Sequence, residues 1–386
     1  MIEMKTAAYI GNFGFPDKNA SGKRVLGNCK VLQSLGYRVI CIGPGQGKAQ
    51  EYDGITLFLV DAGNAIQRVL RNKVSDVEAI LSKEKIGTVF LYGALFTQKE
   101  NLQLIKWCRK QNIRVYYDQV DWLDLNWHNP LRGLIRARNY DLLSRKVIPS
   151  CDGVVCISSY LSTIHSGSGM KTVIIPPLAV ESSKGLPEGY EPQNEIHFVY
   201  AGTTSDVNRP TSQWKDRIDI MFEKLRDCMT DDSLRPFILD IYGMTEDQYI
   251  GMFPVAEKDA GHKVIKELGE RVTFHGSVPN SVVMEEIRNA DFTILIRDKK
   301  RATMSGFPTK VSESITCGTP VLCNDTSDIK EYVEESKTGF VMDDVTSMFR
   351  KTLTLDADAI VAMKRACCKN PFYYKVYADR LKSFME

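Results

Sequence analysis

The stretch best suited to chemistry runs from Ser305 to Asp325 and reads SGFPTKVSESITCGTPVLCND. Pro308 favours the start of a helix, which places Thr309 and Lys310 in its first turn. Free N–H groups at a helix N-terminus attract anions, so this position, with Lys310 beside it, suits a diphosphate. Glu313, one turn further along, is well placed to accept hydrogen bonds from ribose hydroxyls. A capped helix with solvated Lys310 and Glu313 accounts for the same residues equally well.

A second candidate is the glycine-containing loop that follows the first predicted strand. Gly11, Asn12 and Gly14 lie in this loop, where a glycine-rich turn lets the backbone come close to a phosphate or a sugar. A dinucleotide-binding unit needs GxGxxG and an acidic residue at the end of its second strand. Here the turn reads GNFGFP and the second strand ends in IGP, so an NAD-dependent enzyme is disfavoured.

Two carboxylates close the run YYDQVD at residues 116–121, after the fifth predicted strand. Asp118 or Asp121 could orient a hydroxyl of a second substrate or act as a general base, which must reach the proton that it removes. We take Asp121 as the catalytic candidate. Capping of the strand end explains either carboxylate as well.

The segment Leu131–Pro149 is basic and amphipathic, with five cations and a single carboxylate. It predicts a helix that rests on anionic lipid or receives a charged lipid-linked substrate, and an ordinary surface helix is the alternative. The sequence has no apolar run of about 18 residues that could span a bilayer, and its first residues do not resemble a signal peptide. We therefore expect a cytoplasmic protein, with residues 131–149 as its one candidate for peripheral contact at the inner face of the membrane.

Composition narrows the remaining classes of function. The 386 residues are 43% hydrophobic, enough for two or more domains with separate cores. A net charge of +2 argues against a nucleic-acid binder, which usually contains a strongly basic domain. The ten cysteines form no CxxC pair and no Cys/His cluster with zinc spacing, so we expect reduced thiols and no metal site.

Short β-branched runs alternate with longer amphipathic ones, which is typical of parallel sheets with crossover helices. A segment rich in Pro, Gly and charge, Pro176–Asn194, separates two such series and is interpreted as a linker. Open α/β sheets bind ligands beyond the carboxyl ends of their strands, so a cleft shared by the two halves is expected. The predicted strands are Ala7–Gly11, Arg38–Gly43, Thr56–Val60, Thr88–Tyr92, Arg114–Asp118, Gly153–Ser158 and Thr172–Ile175, then Ile196–Ala201, Phe237–Tyr242, Val272–His275, Phe292–Ile296, Pro320–Cys323 and Gly339–Val341.

The strings GFPTKVSESITCGTPVL and SDIKEYVEESKTGFV resemble the donor-binding signature of the family-4 glycosyltransferases (glycosyl transferases group 1) of the GT-B fold. Four further strings resemble other parts of the family pattern: YAG followed by KDR, FHGSV, and NADF in the second half. In the first half, the loop at Gly11 with LGNCKVLQSLGYRVICIG and the later CDGVVCISSYL do so as well. The resemblance covers most of the chain.

The resemblance implies site residues by position. Glu313 matches the second Glu of the family's E-x7-E pair, a ribose-binding carboxylate, whereas the first Glu, which contacts the transferred sugar, is replaced by Ser305. Lys215 matches the basic residue that grips the diphosphate, and Lys310 would add to it. We assign both lysines, with Asp121, to catalysis. The other residues implied in substrate binding are Gly202, Gly276, Arg297, Gly306, Phe307 and Thr309.

The resemblance also implies an architecture: two Rossmann-like domains facing each other across a cleft. Residues 1–180 would form the acceptor side, residues 181–370 the nucleotide-sugar side, and residues 371–386 a helix that returns to the first domain. The implied activity is a retaining, metal-independent transfer of a sugar, as in hexosyltransferases. The donor would be a UDP- or GDP-sugar, with no cofactor, and the acceptor a glycan or a lipid-linked hydroxyl in polysaccharide or glycoconjugate assembly. A non-catalytic partner subunit, motivated by Ser305, and a nucleotide-sugar epimerase are the alternatives.

Overall fold

The computed structural model describes residues 5–61, 74–95, 97–122, 130–183, 185–204 and 207–386, without the side chains of residues 130–133 and 135. The chain divides into two compact units. Unit 1 comprises Met1–Val180, Ser305–Phe307 and Tyr374–Glu386, and unit 2 comprises Glu181–Met304 and Pro308–Tyr373. Among the described residues, no helix is both long and apolar enough to cross a lipid bilayer.

Eight strands of unit 1 form one sheet, and the apolar and β-branched residues of its central strands are buried on both faces. They are β1 (Thr6–Gly11), β2 (Arg38–Pro44), β3 (Gln50–Tyr52), β4 (Ile55–Val60), β5 (Thr88–Tyr92), β6 (Arg114–Gln119), β7 (Gly153–Cys156) and β8 (Thr172–Ile174). Their order across the sheet is β3-β4-β2-β1-β5-β6-β7-β8. Only the pair β3 and β4 is antiparallel among these strands.

The helices of unit 1 are α1 (Ala20–Ser34), α2 (Val74–Lys83), α3 (Gln98–Lys110), α4 (Pro130–Leu142), α5 (Ser159–Gly167) and α15 (Ala378–Met385), the last of the chain. Helix α1 begins where the Asn19 side chain accepts a hydrogen bond from the Gly22 N–H at 2.9 Å. It ends before Gly36, whose φ of 82° is left-handed. The intervening apolar stripe packs on the sheet, as its spacing predicts.

The predicted basic amphipathic helix over residues 131–149 is helical along its length but is not one regular α-helix. Helix α4 ends at Leu142, and a π-helical turn over Leu143–Val147 and a 3-10 turn over Ile148–Ser150 follow it. Leu143, Val147 and Ile148 are buried in unit 1. The apolar residues in the second half of the segment therefore pack in the core of unit 1.

Unit 2 contains a parallel six-stranded sheet in the order β11-β10-β9-β12-β13-β14. Its strands are β9 (Ile196–Ala201), β10 (Phe237–Tyr242), β11 (Val272–Gly276), β12 (Phe292–Leu295), β13 (Val321–Cys323) and β14 (Gly339–Val341). Its helices are α6 (Ile218–Cys228), α7 (Glu246–Met252), α8 (Lys258–Leu268), α9 (Asn280–Asn289), α10 (Arg301–Ser305, whose last residue belongs to unit 1), α11 (Thr309–Thr316), α12 (Ile329–Tyr332), α13 (Val345–Leu353) and α14 (Ala357–Cys367).

Aromatic rings fill the core of unit 2. Phe198 on β9 is fully buried, and the ring centroids of Phe237, Phe292 and Phe349 lie 6.0, 6.3 and 6.2 Å from its own. Such tilted pairs stabilise a core beyond the area that they bury. The sheet is therefore held rigidly, and the loops at its carboxyl edge start from fixed positions.

Candidate functional site

A cavity of about 460 Å³ lies in unit 2, at the carboxyl ends of β9 and β12. This edge is where open parallel sheets bind ligands. Four cations and one carboxylate line the cavity, so its wall is strongly basic. The lining residues are Tyr200, Thr203, Thr204, Arg209, Gln213, Lys215, Asp216, Ile218, Arg297, Thr309 and Lys310.

Separate elements bring these side chains together. Lys215 is exposed just before α6, and Lys310 stands in the first turn of α11, where the sequence predicted it. Arg297 follows β12, and its backbone is fixed by Asn324, which accepts from the Arg297 N–H at 2.9 Å and donates to its carbonyl at 2.6 Å. Four of the predicted residues, Lys215, Arg297, Thr309 and Lys310, therefore share one cavity.

An ion-pair network centred on Asp216 links the basic residues. Arg297 Nε donates to Asp216 Oδ1 at 2.7 Å, and the Lys310 ammonium donates to Oδ2. The Tyr200 hydroxyl also donates to Oδ2, at 2.9 Å, and receives a hydrogen bond from Lys310 at 3.0 Å. Tyr200, Asp216 and Arg297 are buried, whereas the Lys310 side chain is 24% exposed.

This network shifts the pKa of each acid or base in a definite direction. Burial alone would raise the pKa of Asp216, but the positive charges of Lys310 and Arg297 outweigh it and hold that pKa well below its usual range. Burial lowers the pKa of Lys310, and Asp216 offsets part of that effect. Burial and the Asp216 charge raise the pKa of Tyr200 far above neutrality, so its hydroxyl keeps its proton.

Two of the predicted glycines are required by geometry. A Cβ on Gly202 would overlap the Lys310 ammonium and the Tyr200 hydroxyl, so the loop after β9 approaches the network only without a side chain there. Gly276 has a φ of 68°, and its carbonyl accepts from the Gly243 N–H at 2.7 Å. Both residues shape the carboxyl edge of the sheet, and neither lines the cavity.

Glu313, the residue predicted to bind ribose, is half-buried on α11, three positions after Lys310. It therefore lies near the face of the helix that carries Lys310. It is not among the residues that line the cavity.

Ser305 stands where the family has its first Glu, and its location differs most from the donor-site position that the resemblance implies. Ser305, Gly306 and Phe307 belong to unit 1 although their chain neighbours belong to unit 2. Ser305 is completely buried: its Oγ accepts from the Trp122 N–H at 3.1 Å, and its carbonyl accepts from the Ser158 hydroxyl at 2.5 Å. Ser305 and Phe307 therefore contribute packing in unit 1, and neither they nor Gly306 line the cavity of unit 2.

The glycine loop of unit 1 is held by the start of α1. A Cβ on Gly11 would overlap the carbonyl of Tyr92 on β5, which explains the glycine. The Gly14 N–H donates to the Asn19 side chain at 3.3 Å, so the residue that caps α1 also ties down this loop. Asn12 is exposed between them. The loop can offer backbone groups, and its glycines are also explained by packing.

Asp118 has a structural role, which corrects its candidacy as a base. It is buried and accepts two hydrogen bonds from Arg24 Nε, at 3.0 and 3.1 Å, and one from Nη2 at 2.6 Å. The Tyr9 hydroxyl and the Asn28 amide donate to it at 2.9 and 3.1 Å. Asp121, by contrast, is exposed in the loop after β6. His128, which follows it in sequence, lies outside the described residues.

Sequence reasoning missed seven of the eleven lining residues, among them Tyr200, Arg209 and Asp216. Arg209 lies six positions before Lys215 in the same loop, so a search for pairs of cations after β9 could have found it. Asp216 adjoins Lys215, but its ion pairs join residues 81 and 94 positions away, which no local pattern reveals.

The chain is similar to known proteins in part of its sequence and in its fold. Residues 259–350 match the family model described as glycosyl transferases group 1. No protein of curated function matches the chain in sequence. Among solved structures, the chain resembles sucrose-phosphate synthase of Thermosynechococcus elongatus, with a TM-score of 0.67, 15% identity, and coverage of 99% of this chain and 98% of that one.

Two further structures are similar over their full length. Alr3699/HepE of Anabaena, in complex with UDP and glucose, has a TM-score of 0.60, 14% identity and 99% coverage of both chains. Trehalose-6-phosphate synthase, studied with bisubstrate glycomimetics, has a TM-score of 0.60, 10% identity and 98% coverage of both chains. The predicted α/β architecture of the GT-B type is thus confirmed, and residues 259–350 are similar to the glycosyl transferases group 1.

Proposed function

We propose that this protein is a glycosyltransferase that takes a sugar from a nucleotide-diphosphate sugar, bound through its diphosphate in the cavity of unit 2, and transfers it to a hydroxyl acceptor. The observation that carries the proposal is the charge of the cavity wall: four cations and one carboxylate at the carboxyl edge of a parallel sheet. A diphosphate is the ligand chemistry that such a wall matches best.

The cations have a specific task in such a transfer. When the bond between the sugar and the diphosphate breaks, negative charge accumulates on the leaving phosphate. Lys215, Lys310 and Arg297 supply positive charge at that position, and helix α11 begins there with Thr309 and Lys310. Groups already oriented where charge develops stabilise the transition state without a cost of reorganisation.

The donor is proposed to be a UDP- or GDP-sugar. The HepE structures, which hold UDP, UDP with glucose, and UDP-glucose, favour UDP as the first nucleotide to test. Glu313 is the proposed partner of the ribose hydroxyls. Binding through the diphosphate does not depend on which sugar the donor carries. With Ser305 buried in unit 1, the sugar contact of the family Glu has no counterpart at that position.

The remaining features belong to the proposal as well. Transfer would proceed with retention of configuration and without a metal or cofactor, to a glycan or lipid-linked acceptor in polysaccharide or glycoconjugate assembly. Asp121 is the proposed acceptor-side carboxylate. We also propose that the protein acts in the cytoplasm and contacts the membrane peripherally through residues 131–149.

One observation favours a second candidate. Because Ser305 is buried and hydrogen-bonded within unit 1, the chain could bind the nucleotide sugar as a non-catalytic partner subunit. The two functions differ in turnover and share the donor site.

The test follows nucleotide release from UDP- and GDP-sugars, with and without a panel of glycan and lipid-linked acceptors. We expect acceptor-dependent release. Lys215→Ala and Lys310→Ala should each weaken nucleotide binding by about 1.5–3 kcal/mol, because each removes a charged partner from the ligand. Lys263→Ala, an exposed lysine on α8, is the matched control. Binding without turnover under every acceptor supports the partner subunit, and an isomerised free donor supports an epimerase. Unchanged binding in both cavity variants contradicts the site.

A further inference from the structure

Asp216 places a negative charge in the wall of an anion site. Its carboxylate is already paired on both oxygens, with Arg297 on Oδ1 and with Lys310 and Tyr200 on Oδ2. Its side chain is only 11% exposed, so solvent screens these ion pairs weakly. Two of the four cavity cations therefore share one negative charge before any ligand arrives.

The two cations that Asp216 holds differ in freedom. Arg297 is 7% exposed, and Asn324 fixes its backbone from both sides. Lys310 is 24% exposed, and its ammonium ends a flexible four-carbon chain over the face of Tyr200, 4.3 Å from the ring centroid. A rotation of the Lys310 side chain can change its partner, whereas the Arg297 side chain is more deeply buried and has less room to turn away.

We propose, on the basis of the function proposed above, that Asp216 is an internal anion from which the ligand takes Lys310. On binding, the Lys310 ammonium turns from Asp216 to a phosphate oxygen, while Arg297 and Tyr200 keep the carboxylate. Asp216 is thus a positioning residue that holds Lys310 at the cavity in the empty protein. It also competes with the diphosphate for that cation, which weakens retention of the nucleoside diphosphate after transfer.

A double-mutant cycle tests this exchange. The intact chain, Asp216→Asn, Lys310→Met and the double variant are titrated by calorimetry at pH 7 with UDP, GDP, ADP and inorganic pyrophosphate. We expect Asp216→Asn to lower the Kd by about tenfold, because the ligand no longer displaces a carboxylate from Lys310. In the Lys310→Met background the same substitution should change the Kd by less than about twofold. Asp216→Glu, which keeps the negative charge, should bind as the intact chain does.

The outcomes separate the exchange from a merely structural role and from the proposed function. Weaker or unchanged binding by Asp216→Asn, or an equal gain in both lysine backgrounds, overturns the exchange. If Asp216→Asn strengthens pyrophosphate binding only when Lys310 is present, while none of the nucleotides binds, the exchange is supported and the proposed donor is wrong. Thermal melting of each variant checks that it is folded, and Asp216→Ser replaces Asp216→Asn if the latter is not.

Discussion

Replacement of Ser305 by the residue typical of the family distinguishes two views of this position. The resemblance to the family signature predicts that Ser305→Glu restores a sugar contact and alters donor preference. The structure predicts instead that Ser305→Glu destabilises unit 1. Ser305 is completely buried, and its oxygens already accept hydrogen bonds from Trp122 and Ser158. The two views therefore predict changes in different measured quantities.

The size of the effect follows from burial. An unpaired carboxylate placed in a filled, buried position costs at least about 3 kcal/mol, or takes up a proton and still overpacks the site. Ser305→Ala removes only the acceptor of the Trp122 N–H, at a cost of about 1 kcal/mol. Ser383→Glu, an exposed position on α15 in the same unit, should stay within about 0.5 kcal/mol of the intact chain.

Urea unfolding followed by tryptophan fluorescence measures these differences as shifts of the midpoint at constant slope. We expect the stabilities to fall in the order Ser383→Glu, Ser305→Ala, Ser305→Glu. Equal stability of the two Glu variants, with a changed sugar preference in Ser305→Glu, refutes the reasoning and places this residue at the donor sugar.

Three further outcomes are expected. Lys364 is fully buried, and burial lowers its pKa from 10.5 to about 8. The unfolded chain thus keeps this proton to higher pH, so the urea stability of the intact chain relative to Lys364→Met should rise between pH 8 and 10.5, by up to about 3 kcal/mol. Glu313→Gln should weaken binding of a nucleoside diphosphate but not of pyrophosphate in calorimetry, since only the former carries ribose; equal losses exclude that role. Arg24→Met should cost about 3–5 kcal/mol in the same urea assay, because it leaves Asp118 buried without its cation, and a loss below 1 kcal/mol contradicts the structural role of that pair.

Local patterns predicted the fold well because its strands are buried on both faces. Such strands appear as short β-branched runs, as in Phe237–Tyr242 and Gly339–Val341, and the structure confirms both ranges. Strand β3 was missed because its sequence QEY is fully exposed and pairs only at the edge of the sheet. For the segment 131–149, spacing alone does not tell which apolar residues enter the core of their own unit, and the structure buries Leu143, Val147 and Ile148 there.

The cations of the cavity could be named from the sequence. Lys215 matched the family pattern, Arg297 ends a predicted strand and Lys310 begins a predicted helix, and the fold brings the three to one cavity. Asp216 escaped notice because its importance comes from partners far away in the sequence. Asp118 illustrates the opposite error: a carboxylate at a strand end was a candidate base, whereas Arg24, 94 positions away, makes it part of the core.

The central claim is that the cavity bounded by Lys215, Arg297 and Lys310 holds the diphosphate of the donor. A crystal structure of the chain with bound UDP or GDP tests it most directly. We expect phosphate oxygens within hydrogen-bond distance of Lys215 and Lys310. A nucleotide seated elsewhere, such as at the glycine loop of unit 1, with this cavity empty would contradict it.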